Sequence, residues 1–210
     1  MNRNLLCSLI IILFHIVGLY GFLTPAFNGL FIKLVPFHLL LMLLLMILTV
    51  NDKSADLIKF AIVVYLAGFF IEVIGVNTGL IFGNYTYGAA LGIKLWAVPL
   101  LIGVNWLILV YSTGVFLVYL NLKNRWLLSI LGAGILLVMD FLIEPVAIRF
   151  DYWSWYGGFI PLQNYLGWYI FSFFLFLFFS GLNFRKENKA AVVLLFSQIA
   201  FFLALNLWAF

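Results

Sequence analysis

Seven continuous apolar runs constrain this chain more than any other feature: Leu5–Leu23, Leu34–Val50, Leu57–Val76, Pro99–Leu120, Trp126–Ile148, Pro161–Leu182 and Ala191–Phe210. Each falls within the roughly 17–25 residues that an α-helix needs to cross a bilayer. Together they take 143 of the 210 residues and leave 67 for termini and six connections, too few for a soluble domain. Backbone polar groups in lipid must be paired internally, so only helices and closed barrels span membranes. Continuous rather than alternating runs exclude the barrel. The expected fold is all-α: one integral membrane domain over residues 1–210, a polytopic bundle of about seven transmembrane helices. The first run resembles the apolar stretch of a signal peptide behind Arg3, but it is long and His15 interrupts it, so it is read as an uncleaved helix.

Charge supports this reading. Only 9% of residues are charged, against about 25% in an average soluble domain, which excludes a soluble enzyme and a disordered chain. The eleven Lys and Arg never form a stripe, so nucleic acid is not a partner. Cys7 is the single cysteine, which excludes internal disulfides and thiolate metal centres. No metal site and no cofactor are expected. Basic residues favour the cytoplasmic side of short loops. Arg3, Lys53, Lys59, Lys123, Arg125, Arg185, Lys186 and Lys189 share one side of the bundle, and Lys33, Lys94 and Arg149 the other. This split places the N-terminus in the cytoplasm and the C-terminus outside, in a cell's inner membrane.

An ionisable residue in a spanning helix costs about 2.5–3.5 kcal/mol on insertion scales, so each needs a reason. At 1.5 Å per residue, Glu72, Glu144 and His38 lie about 6 Å below the outer ends of their runs, and Asp140 and His15 about 12 Å. Asn105 and Asn164 fall in the same band. Any one of these is ordinarily a polar contact between helices. Three carboxyls at matching depth point instead to a polar cavity opening outward, above an inner half that is nearly pure Leu, Ile, Val and Phe.

The carboxyls also sit in an internal repeat. Glu72 is followed thirteen residues later by Tyr85-Thr86-Tyr87, and Asp140 thirteen residues later by Trp153-Ser154-Trp155. Pro99-Leu100 and Pro161-Leu162 come next, and seven residues beyond each proline stands a tryptophan, Trp106 and Trp168. The units, about residues 57–120 and 126–182, both run out and then in, making a parallel repeat about an axis along the membrane normal. Only the stretch between aromatic pair and proline differs, six residues longer in the first unit. Tyr85, Tyr87, Trp153 and Trp155 are candidate ligand contacts, although each alone is also what an interfacial aromatic belt supplies.

Glu144 stands one helical turn after Asp140, on the same face. Two carboxyls that close in an apolar setting resist ionising together, so one is expected to keep its proton. Asp140 is the deeper, and is read as the proton donor. Pro145 cannot donate to the carbonyl of Phe141, which leaves a free acceptor near the acids and a bend in the helix.

These residues resemble a known family. Glu72–Gly79 (EVIGVNTG), Phe82–Tyr87 (FGNYTY) and Val98-Pro99-Leu100 look like the multi-pass carotenoid biosynthesis proteins, as do Asp140-x-x-x-Glu144-Pro145-Val146-Ala147, Trp153-x-Trp155, Pro161-Leu162-x-Asn164 and Gly167-Trp168. That family includes carotene hydratases acting on gamma-carotene and on bisanhydrobacterioruberin. The resemblance covers Tyr65 to Trp168, half of the chain. It implies a carotenoid substrate held in the bilayer and water as co-substrate. It also implies a cofactor-free reaction in which an acid protonates the terminal double bond and water captures the tertiary cation. Asp140, Glu144 and Glu72 would be catalytic. Tyr85, Tyr87, Trp153, Trp155, Trp106, Trp168, Asn105, Asn164 and His38 would contact substrate. A carotene cyclase also begins with protonation and remains an alternative. So does a proton-coupled transporter, which would need polar residues continuing to the inner face. A prenyltransferase would need two acidic metal clusters, and Asp52 and Asp56 supply at most one, where a solvated turn is the simpler reading.

Overall fold

A computed structural model describes residues 2–208 of the chain. All seven apolar runs fold as helices: α1 (Arg3–Leu23), α2 (Pro25–Leu48), α3 (Ala55–Thr78), α4 (Leu101–Tyr119), α5 (Arg125–Arg149), α6 (Leu162–Gly181) and α7 (Lys189–Trp208). Each is long and apolar enough to cross a membrane, and the chain is an integral membrane protein. The last expected run extends to Phe210, and its final two residues lie outside the described ones. Local chemistry sets the ends. Asn124 Oδ1 accepts from the backbone of Trp126 and Leu127 at 2.9 and 3.2 Å to start α5, as capping side chains do. Gly79 closes α3 with φ 67°, in the left-handed region where an L side chain is strained.

One boundary departs from expectation. The second span starts at Pro25 rather than Leu34, because Pro25 is well suited to the first helical turn and Asn28, Gly29 and Lys33 continue the helix. Thr24 alone joins α1 to α2, its hydroxyl donating to Tyr20 O at 2.8 Å. Lys33 therefore lies inside a helix rather than in a loop. His38, thirteen residues in, sits about 20 Å from the start of α2, near mid-helix instead of close to its end.

The connections sort onto two faces. On one, Arg3 donates to Asn51 Oδ1 (2.7 Å), Asp52 accepts from the Arg185 backbone (2.5 Å), and Asp56 accepts from the Asn183 backbone (2.7 Å). The Asp52–Asp56 turn is thus a clamp between two loops. The other face carries four short strands: β1 (Tyr85–Tyr87), β2 (Lys94–Leu95), β3 (Val98–Pro99) and β4 (Trp153–Trp155). β2 and β3 form a hairpin, which accounts for the extra length in the first unit. Its tip, Trp96 and Ala97, has φ of 51° and 66°. Asn77 Nδ2 donates to Trp96 O at 3.2 Å and holds that tip against α3.

Helix α4 is the axis of the bundle, with 72% of its apolar window buried against 22–44% for the other six. Matching parts of the two units meet one another. β1 pairs antiparallel with β4, Tyr85 opposite Trp155 and Tyr87 opposite Trp153. Trp106 of α4 and Trp168 of α6 stack with ring centroids 4.2 Å apart. Below this level, Ser112, Thr113 and Ser172 are buried hydroxyls within the nearly pure apolar inner half expected from sequence.

Candidate functional site

Side chains alternate across a strand, so Tyr85, Tyr87, Trp153 and Trp155 all turn inward and are buried while Thr86 and Ser154 face out. The inward rings roof three buried carboxyls. Glu72, on α3, accepts from the hydroxyls of Tyr85 (2.5 Å) and Tyr87 (2.8 Å) at Oε2, and from Trp106 Nε1 (3.1 Å) at Oε1. Gly68 makes the last bond possible: a Cβ there would stand 2.6 Å from the Trp106 side chain. Burial, and next the Glu72 carboxyl, push the phenols of Tyr85 and Tyr87 well above the ordinary tyrosine range, so both remain donors.

Glu144, on α5, accepts from Trp153 Nε1 (3.0 Å) and Trp155 Nε1 (2.8 Å) at Oε2. Spacing along the chain equates Glu72 with Asp140, yet Glu144 takes the corresponding part in hydrogen bonding, each unit's aromatic pair donating to its own glutamate. Asp140 lies one turn deeper. Asn164 Nδ2 of α6 bridges the two acids, 2.7 Å from Asp140 Oδ2 and 3.3 Å from Glu144 Oε1. Asp140 is fully buried and its Oδ1 has no partner. Glu72 and Glu144 thus receive three donors each, and Asp140 one.

Two cavities adjoin this network. A small one, about 20 Å³, is bordered by Glu72, Glu144, Asn164, Trp168 and all four strand aromatics. It is large enough for one water molecule. Asp140, the expected proton donor, lines neither cavity. The larger cavity, about 300 Å³, lies among α1, α2 and α7, with Trp153 as a wall in common with the first. His38 and Asn105 face this larger space and make no hydrogen bond to the carboxyls. The predicted residues therefore divide. Asp140, Glu144, Glu72, Asn164, Trp106, Trp168 and the strand aromatics come together, while His38 and Asn105 stand behind Trp153. Instead of one polar cavity open to the face, a roofed carboxyl chamber adjoins an apolar pocket. Sequence reasoning missed Phe82, which borders the chamber, and Gln198, which lines the pocket. Gln198 was open to detection as a polar residue within an apolar run. Among the described residues no group of three His, Cys, Asp or Glu is arranged to hold a metal ion.

Residues 33–210 match the family described as carotenoid biosynthesis protein. The chain belongs to that family. The match contains all three carboxyls and both aromatic strands, and leaves out α1. This carotenoid biosynthesis protein is also 35% identical over 155 residues to the bisanhydrobacterioruberin hydratase of Haloarcula japonica, covering 68% of the present chain and 50% of that relative. It spans about half the length of the curated relative it matches. No solved structure matches it.

Proposed function

We propose that this protein adds water to the terminal double bond of a linear carotene end group, giving a tertiary alcohol. The observation that carries the reading is the Asp140–Glu144 pair, bridged by one amide nitrogen and bordering, through Glu144, a water-sized chamber that Glu72 also faces. The pair holds one acidic proton, and Glu144 presents it to the chamber. Transfer to the less substituted carbon of the double bond leaves a tertiary cation. A water molecule held by Glu72 or Glu144 captures it, and the proton lost from that water returns to the carboxyls. The sum is alkene plus water, with the acid regenerated. General acid catalysis of this kind contributes about 10²–10⁴-fold. The faces of Trp153, Trp155 and Tyr85 favour a cation by roughly 0.5–2 kcal/mol each. The end group approaches from the apolar pocket, which shares Trp153 as a wall with the chamber.

Pigments from a host that supplies linear carotenes test this. Expression should add the mass of one water per reacting end. A product of unchanged mass would favour a cyclase and overturn the hydration reading.

The same proposal places the basic face in the cytoplasm and the chamber near the outer surface of the inner membrane. The motive is the charge split, eight basic residues against Lys33, Lys94 and Arg149. A periplasm-dependent reporter fused after Phe210 should be active, and one fused after Asn121 silent. The reverse pattern would invert the orientation.

A further inference from the structure

The pocket among α1, α2 and α7 has polar groups that the carboxyl network does not use. Its volume of about 300 Å³ stands at the small end of ligand sites. Phe14 and Val17 of α1 and Leu34 and Phe37 of α2 line it and are also exposed on the lipid-facing surface. Its mouth therefore opens sideways between α1 and α2. Inside, Gln198 is 6% exposed and its Oε1 has no partner. His15 bonds Ile11 O through Nδ1 at 2.8 Å, which leaves Nε2 as an acceptor. His38 packs edge-on against it, ring centroids 5.0 Å apart, and Asn105 lies on the same lining.

We infer that this pocket binds a long apolar molecule by a terminal hydroxyl group. A purely hydrocarbon end would fill the pocket and leave the Gln198 oxygen buried without a donor, a costly arrangement. A carboxylate would find no Lys or Arg on the lining, and an ammonium no Asp or Glu. A hydroxyl donates once and accepts, so one group can satisfy the Gln198 oxygen and still receive an N–H from its neighbours, with His15 lining the same pocket. The chain attached to it leaves through the lateral mouth into lipid. Recognition of the hydroxyl does not depend on the reaction proposed above. Naming its natural occupant as the tertiary alcohol made in the adjoining chamber does rest on that reading. A membrane alcohol carries the same chemistry.

The test uses the full chain in lipid nanodiscs and the quenching of tryptophan emission by a bound polyene, since Trp153 lines the pocket. A linear carotene and its terminal tertiary alcohol are the two probes. The alcohol should bind about tenfold tighter, the worth of one buried hydrogen bond. Gln198→Met, close in shape, should reduce that preference to about one, and His15→Phe, on a different helix, should narrow it. Equal affinities in the unmodified protein, or a tenfold preference that survives Gln198→Met, would overturn the inference. Competition by a saturated long-chain isoprenoid alcohol separates the sources. Displacement supports a site for membrane alcohols in general, and failure to displace supports one reserved for the carotenoid. An intact preference without any turnover would remove the hydration reading and leave the site standing. Turnover without the preference would do the opposite.

Discussion

Asp140→Asn should abolish hydration, lowering turnover by about 10²–10⁴-fold at unchanged membrane abundance. Asn fits the same volume and still offers an oxygen to Asn164 Nδ2, which stands 2.7 Å from Asp140 Oδ2. What is lost is the acidic proton of the pair. Asp140 has a single donor and an unpartnered buried oxygen, so the substitution breaks no other contact. Glu144→Gln should be equally damaging, because Glu144 is the member of the pair that faces the chamber. Asp56→Asn is the control: Asp56 accepts from the Asn183 backbone on the opposite face and its substitution should leave turnover near normal. Turnover retained by Asp140→Asn would assign this acid a structural part and move the proton to Glu72 or Glu144 alone.

Glu72→Leu should destabilise the fold severely, and more than Glu72→Gln. Leucine leaves the hydroxyls of Tyr85 and Tyr87 and the indole N–H of Trp106 buried without an acceptor. Each such group costs about 1–3 kcal/mol, which in sum approaches the whole stability of a typical domain, about 5–15 kcal/mol. Glutamine keeps one accepting oxygen and turns an amide N–H₂ toward the remaining donor, so its cost is smaller. Adding Tyr85→Phe and Tyr87→Phe to Glu72→Leu should recover part of the loss, because donors and acceptor then disappear together. Thermal unfolding in detergent should rank the single variants Leu below Gln below wild type, with the triple variant above Glu72→Leu. A triple variant less stable than the single one would show that the rings act through packing rather than through these bonds.

The helices were legible because lipid allows few alternatives: seven apolar runs of spanning length fold as seven helices. The start of α2 was not, since Lys33 and Asn28 look like loop residues in a hydropathy profile, while Pro25 and the lack of any competing turn carry the helix through them. For the site, the intramembrane carboxyls and the aromatics of the repeat were both visible in the sequence, and the fold brings them together in one hydrogen-bonded network. The pairing between Tyr85–Tyr87 and Trp153–Trp155 was visible only as an aromatic–polar–aromatic alternation in each unit, a strand pattern too short to read alone. The bonding of Glu144 to the second aromatic pair was hidden because thirteen-residue spacing favoured Asp140, while the reach of the Trp153 and Trp155 N–H groups selects the acid one turn nearer the strand. His38 was misplaced in depth through the same error that misplaced the start of α2. The division into two cavities depends on which way Trp153 points, and no spacing encodes that.

The central claim is that water adds across the end-group double bond with its proton supplied by the Asp140–Glu144 pair. Purified protein in liposomes with a linear carotene, made up in oxygen-18 water, tests it most directly. The account predicts an alcohol whose hydroxyl carries the heavy oxygen, formed by the wild type and not by Asp140→Asn. An alcohol whose oxygen derives from molecular oxygen, or labelled product formed equally by both proteins, would contradict it.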